Sequence, residues 1–243
     1  MENKKMQKPV SVMKRVEMKY ILDARQTAWL RKGLEGHMQV DAYGLTTIAS
    51  LYYDTPDSRL VRASLEKPVF KEKLRLRSYG LATDRSPVFL ELKRKADGVV
   101  YKRRIETTVP RAEGFLRREC PPEGDPQICR ELEAFRDFYG DLRPACLILY
   151  DREAYFQPDG DLRLTLDRAP RYRMEDLDLT SSLEGIPLLG PGSTILEVKV
   201  QEALPLWLAS LLSGGKIYKT SFSKYGEAYC RRLDQTPALR LAS

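Results

Sequence analysis

One histidine, His37, serves the whole 243-residue chain. A histidine-rich zinc site is therefore excluded, and a Ser-His-Asp triad would have to run through that one residue. The four cysteines, Cys120, Cys129, Cys146 and Cys230, show no C-x-x-C spacing. They read as reduced thiols of a cytosolic protein rather than a disulfide framework. The longest uncharged apolar stretch, Ala203 to Gly215, contains Pro205 and is shorter than the ~20 residues a spanning helix needs. Residues 1–14 carry positive charge but lack the apolar block of a signal peptide. Neither G-x-x-x-x-G-K-[ST] nor G-x-G-x-x-G occurs, which removes a P-loop or Rossmann phosphate cradle. A soluble, cytoplasmic protein is the expectation.

What is present is apolar residues enough for a core, at 42%, and an excess of base: 41 Lys and Arg against 34 Asp and Glu, a net charge of +7. Global disorder is excluded. The excess favours an anionic partner, and composition alone does not choose among phosphate, nucleic acid and a membrane surface.

No repeat, low-complexity tract or Gly/Ser linker divides the chain. Residues 1–14 read as a mobile segment, 15–231 as one domain and 232–243 as a tail. Asp23 with Gln26 forms a capping box for a helix through Trp29, Leu30 and Leu34 that ends near Gly36. Asp125-Pro126 opens a second helix with an apolar stripe at Ile128, Leu132 and Phe135, stopped by Gly140. Residues 203–212 and 223–232 are further helical candidates. Most of the remainder alternates with period two, in segments 15–21, 48–53, 73–79, 88–95, 99–108, 147–156, 162–167 and 195–200. Asp97-Gly98 and Asp159-Gly160 mark two hairpins. The fold class expected is α+β, mainly antiparallel β, the sheet curled or closed, with several flanking helices.

The alternation carries a second message. One face of each strand bears Arg15, Glu17 and Lys19; Lys73, Arg75 and Arg77; Glu91, Lys93 and Lys95; or Glu197 and Lys199. The opposite faces bear Val16, Met18 and Tyr20; Leu74 and Leu76; Leu90 and Leu92; Leu196 and Val198. Two arrangements produce this pattern: a sheet with one face in water, or a sheet that turns its charged face inward. Desolvation costs several kcal/mol per ion, so an inward face must be wet or hold a polyanion. Arginine forks and lysine point charges both suit phosphate. With no histidine or paired cysteine available, carboxylates among such cations point to Mg²⁺ or Mn²⁺.

These segments resemble a known family. RVEMKY at 15–20, LYYDT at 51–55, LEK at 65–67, KLRLRSYG at 73–80 and VFLELKRK at 88–95 are similar to the vacuolar transporter chaperone (VTC) polyphosphate polymerases. So are LYDREAYF at 149–156, LRLTLD at 162–167, ILEVKV at 195–200 and FSKYG at 222–226, in order along nearly the whole chain. Each motif is weak alone; the ordered set is specific. The resemblance implies the triphosphate tunnel metalloenzyme fold, a closed β-barrel tunnel with a cationic lumen. It implies transfer of the γ-phosphate of ATP to a growing polyphosphate chain, with release of ADP and a requirement for Mn²⁺ or Mg²⁺. Carried across by motif, Lys19, Arg75, Arg77, Lys93, Arg152, Arg163 and Lys224 grip the reacting phosphates. Lys102 and Ser223 contact substrate, and Glu197 holds the metal, assisted by Glu17. Glu91 has the same option, with pairing to neighbouring cations slightly favoured. Lys73, Lys95, Arg103 and Arg104 read as solvent-facing or rim charges.

The chain departs from the family at Ser64, where an arginine often precedes L-E-K, and at Ser221, where a lysine commonly precedes F-S-K. Arg62 and Lys219 stand near those positions. The departures leave three functions open: an ATP-using polymerase, a triphosphatase on the same scaffold, or a non-catalytic polyphosphate or inositol-phosphate binder. Nucleic acid ranks last, because Tyr43, Tyr52 and Tyr53 lie outside the charged rows. The implied partners are ATP and polyphosphate, and the resemblance leaves room for a separate membrane partner.

Overall fold

The computed structural model describes residues 16–66, 68–97, 99–201 and 203–235. Arg15, Lys67, the segment 1–14 and the end of the expected tail lie outside them.

The capping signals hold. In α1 (Ala24–Leu34) the Gln26 amide donates to Asp23 at 2.7 Å while Asp23's own amide donates to the Gln26 side chain at 3.1 Å. In α4 (Pro126–Tyr139) Asp125 accepts from the amides of Gln127 and Ile128, and Gly140 ends the helix at φ 73°. Two short helices carry no side-chain cap: α2 (Arg59–Leu65) and α3 (Val109–Leu116). The last two are α5 (Leu206–Gly214) and α6 (Lys224–Gln235), so α6 continues past residue 232, where a tail was expected.

The strands are β1 (Val16–Leu22), β2 (Gln39–Asp54), β3 (Phe70–Tyr79), β4 (Val88–Ala96), β5 (Val99–Thr107), β6 (Arg143–Phe156) and β7 (Arg163–Arg173). The remaining three are β8 (Ile186–Pro187), β9 (Thr194–Val200) and β10 (Lys219–Thr220). β4 pairs with β5 and β6 with β7, as the two Asp-Gly signals predict; Gly98 itself lies outside the described residues. All pairs are antiparallel, in the order β10-β1-β9-β7-β6-β2-β3-β4-β5, with β8 on β7.

The closed barrel does not form. Closure needs β5 to pair with β10 or β1, and no such pair exists among the described residues. One physical reason stands out: β10 is two residues long and offers no edge for β5 to pair along.

The sheet is nonetheless strongly curled. β1 and β4 are six strand steps apart, about 29 Å if flat at ~4.8 Å per step. Yet Lys93 Nζ on β4 lies 3.7 Å from Glu17 Oε2 on β1. Contact over that span requires the face they share to be concave. The opposite face is covered by two apolar clusters. One places Leu74, Leu76, Leu90 and Leu92 against Phe115 of α3 and Leu132 and Phe135 of α4. The other places Leu164, Leu166, Leu196 and Val198 against Leu30 and Leu34 of α1 and Leu208 and Leu212 of α5. Covering that side forces the alternate, charged residues into the trough. No helix among the described residues is long and apolar enough to cross a membrane.

Candidate active site in a basic trough

Strand register brings the charged rows together. Lys19 stands opposite Glu197 and Glu17 opposite Lys199 across β1 and β9. Arg75 stands opposite Glu91, and Lys93 opposite Lys102, along β3, β4 and β5. Arg152 faces Asp167 across β6 and β7.

Two buried carboxylates organise the cations. Glu91, 1% exposed, lies 2.7 Å from Arg75 and from Lys102, 3.6 Å from Arg77 and 3.7 Å from Arg104. Burial raises the Glu91 pKa, but Arg75, Arg77 and Lys102 outweigh it and bring the group down to about 2. Asp167, 0% exposed, accepts two hydrogen bonds from the Arg152 guanidinium, at 2.6 and 2.8 Å, and one from Lys224 at 2.6 Å. Burial also works against the charge on Lys224; Asp167 overcomes it and holds the ammonium above its ordinary range. Both cations lie over the Tyr150 ring, at 5.0 and 4.3 Å.

Lys224 is delivered by the first turn of α6, which stands in the trough. Its placement is fixed by Tyr225, whose hydroxyl donates to Asp54 at 2.8 Å, and by Arg231, which donates to the carbonyls of Pro187 and Leu188. Asp54 in turn accepts from the amides of Leu60 and Val61, tying α2 to the same anchor. Ser223 accepts from the Gly226 amide as a helix cap and from Lys73 Nζ at 3.1 Å. The Phe222 carbonyl accepts from Lys19 at 3.1 Å.

Glu17 pairs with Lys19 and Lys93, each at 3.7 Å. Glu197 pairs with Lys199 at 3.5 Å and Arg152 at 3.6 Å. Burial pushes Glu197 up; Lys199, a hydrogen bond with Glu17, Lys19 and Arg152 together hold it well below the usual carboxylate range. These two carboxylates sit diagonally on adjacent strands. No cluster of three metal-ligating side chains exists among the described residues. Glu17 and Glu197, both hard oxygen donors, would suit an ion of the Mg²⁺ type, which would supply charge neutralisation beside the cations.

Most of the residues expected from sequence converge: Lys19, Arg75, Arg77, Lys93, Lys102, Arg152, Ser223, Lys224, Glu17 and Glu197 all face the trough. Arg163 does not join them. It begins β7, is exposed, and donates to the carbonyls of Gln157, Gly160 and Leu162 in its own turn. Arg62 is held by Asp57 at 2.8 Å rather than filling the space left by Ser64. Glu91 takes the pairing role described above.

Residues that read from sequence as rim or outside charges also enter the trough. Lys73 faces inward with Arg75 and Arg77, and Arg104 lies 3.4 Å above the Phe89 ring. Tyr52, placed outside the charged rows by its sequence, stands opposite Arg75, which donates to its hydroxyl at 3.1 Å. Asp167 was hidden as the last residue of LRLTLD; its signal was period two from Arg163. Lys95 and Arg103 stay outside the cluster, with Arg103 bound to Glu131 of α4 on the covered side.

Ten cations thus share four carboxylates in the trough (Lys19, Lys73, Arg75, Arg77, Lys93, Lys102, Arg104, Arg152, Lys199 and Lys224 with Glu17, Glu91, Asp167 and Glu197). The Glu91 cluster has a consequence for acid stability. A carboxyl lowered from 4.5 to about 2 stabilises the fold fully above the unfolded pKa, and loses that contribution as pH falls towards 2. The shift corresponds to about 3 kcal/mol. Glu91→Gln is expected to flatten the loss of stability between pH 4.5 and 2 in denaturant titrations; an unchanged acid slope would remove Glu91 as its source.

A family model described as the VTC domain matches residues 14–232. Among solved structures, a "putative adenylate cyclase" from Bacillus halodurans is 16% identical, with a TM-score of 0.54 over 87% of this chain and 96% of that one. A "putative adenylyl cyclase" from Hippeastrum, described as having a dominant triphosphatase activity, is 19% identical with a TM-score of 0.49, covering 87% and 93%. The Bacillus protein shows that the fold is shared. No curated protein matches. With nine-tenths of its length matched, the chain belongs to the VTC domain family.

Proposed function

We propose that the protein is a metal-dependent polyphosphate polymerase that transfers the γ-phosphate of ATP to a polyphosphate chain and releases ADP. The observation that carries this reading is the trough, where cations from β1, β3, β4, β5, β6, β9 and α6 outnumber their carboxylates. Such an excess is costly without a polyanion and suited to one. Family membership supports the same substrate class.

Phosphoryl transfer asks a protein for alignment and charge neutralisation more than for covalent chemistry. Arg75, Arg77, Lys93 and Lys102 line one wall and Arg152, Lys224 and Lys19 the other, so two phosphate chains could be held in line between them. The acceptor is already an anion, and no general base is required. Glu17 and Glu197 would hold a divalent ion, which supplies charge neutralisation to the transferring phosphates when bound. Arg163, at the rim, would meet only a chain extending out of the trough.

The test is incubation with ATP and Mn²⁺ or Mg²⁺, followed by separation of polymer, ADP and free phosphate. ADP with polymer is expected. ADP with equal free phosphate would replace the polymerase by a triphosphatase, and binding without turnover would leave only a polyphosphate binder. Arg75→Ala is expected to weaken triphosphate binding by roughly tenfold or more, the scale of one charge-assisted hydrogen-bonded contact. An unaltered affinity would take Arg75 out of the grip.

A further inference from the structure

Of the inward cations, Lys73 is set apart by what surrounds it. Its Nζ has one hydrogen-bond partner, the neutral Ser223 hydroxyl at 3.1 Å, and no carboxylate lies within ion-pair distance among the described residues. The groups that face it are Tyr52 on β2, Lys71 and Arg75 along its own strand, Lys93 on β4 and Lys19 on β1. Four of these five are cations. Lys19, Arg75, Arg77, Lys93, Lys102, Arg104, Arg152, Lys199 and Lys224 each have a carboxylate within 4.0 Å, which sets Lys73 apart from them.

We propose that Lys73 is an anchor for the bound phosphate chain that takes up a proton as the chain enters, making binding in the trough proton-linked. The inference rests on the polyphosphate reading above and deepens it by naming a regulation of that same site. Burial and the lysines Lys19, Lys93 and Lys71 lower the free side chain to about 8, against the opposing pull of Tyr52. A phosphate oxygen beside Nζ supplies the missing counter-ion and raises the group in the bound state. The sign then follows. A group whose pKa rises on binding contributes fully below its free value, and the contribution is lost as pH climbs through and above it. Tyr52 titrates in the same range. Burial raises it, but Arg75, Lys73 and Arg77 bring it down to about 8, so the two groups must be separated by experiment.

Metal-free tripolyphosphate is titrated into the full-length protein by calorimetry, in two buffers of different ionisation enthalpy, from pH 7 to 9.5. The ligand's own protons cancel when variants are compared. Relative to Lys73→Arg, whose charge does not titrate, the wild type is expected to lose about fivefold in affinity between pH 8 and 9, approaching tenfold per unit beyond. It should also take up more protons on binding. Lys73→Met should lose the extra uptake and bind roughly tenfold more weakly at pH 7. Tyr52→Phe should keep the uptake. Equal proton uptake in wild type and Lys73→Arg overturns the proposal, as does unchanged pH 7 affinity in Lys73→Met. Uptake that vanishes in Tyr52→Phe assigns the proton to the phenol and overturns it too. Binding and linkage without polymer synthesis would sink the polymerase reading and leave this inference standing, whereas no tripolyphosphate binding by the wild type overturns both.

Discussion

Asp167→Ala is expected to lower the stability of the free protein by about 3–5 kcal/mol, the cost of removing one partner from a buried ion pair. Arg152 and Lys224 both spend their short contacts on this fully buried carboxylate. Without it, two largely buried cations face each other over the Tyr150 ring, and among the described residues Glu197, 3.6 Å from Arg152, is the carboxylate that remains in reach. Asp167→Asn should cost less, because the amide keeps the size and one acceptor. Tripolyphosphate should recover more stability in Asp167→Ala than in the wild type, since the ligand brings the anion that the variant lacks. Chemical denaturation with and without the ligand measures both effects. A loss under about 1 kcal/mol would show that water already screens these cations.

This result separates two roles that the charge pattern alone merges. Period two told which residues share a face, and β1, β3, β4 and β9 obey it: Glu17 and Lys19, Arg75 and Arg77, Glu91 and Lys93, Glu197 and Lys199 all turn inward. It could not tell which carboxylates would be structural counter-ions. Glu91 and Asp167 are buried beneath their cations, whereas Glu17 and Glu197 stay beside each other and partly open. That distinction arises from register between strands distant in sequence, such as Arg152 opposite Asp167.

The same limit explains the overturned barrel. Alternation fixes the inner face of each strand but carries no information about whether the two edge strands meet. That outcome depends on the short β10. Helices α2 and α3 carry weak signals for local reasons. α2 is seven residues long and follows Ser58 in a left-handed conformation, and α3 starts at Val109 behind an N-cap, Thr108, that makes no side-chain cap, directly after a strand. Segment 48–53 carries no charge of its own, and only its register against β3, which sets Tyr52 opposite Arg75, brings the ring into the trough. Lys73 reads as a rim charge because the alternating segment begins with it, but β3 extends back to Phe70, which makes it an interior strand residue.

Glu197→Gln is expected to abolish metal-dependent turnover, by about 10²–10³-fold or more, if several kcal/mol of charge stabilisation pass through its carboxylate. The fold should survive, because each partner has another recourse. Arg152 keeps its two hydrogen bonds to Asp167, and Lys199 is partly exposed to water. The substitution also removes one negative charge from a trough already rich in cations, so tripolyphosphate without metal should bind as well as before or more tightly. That opposite movement of binding and turnover distinguishes a metal ligand from a carboxylate that merely arranges Lys199 and Arg152; a loss of that arrangement would weaken both together. Glu17→Gln should show the same split, since Glu17 is the other carboxylate at that corner, diagonal to Glu197 on the adjacent strand. Titrating Mn²⁺ against turnover in both variants provides the decisive measurement. If either variant keeps the wild-type rate and metal dependence, its carboxylate does not hold the ion; if both do, the ion is held by substrate phosphates alone.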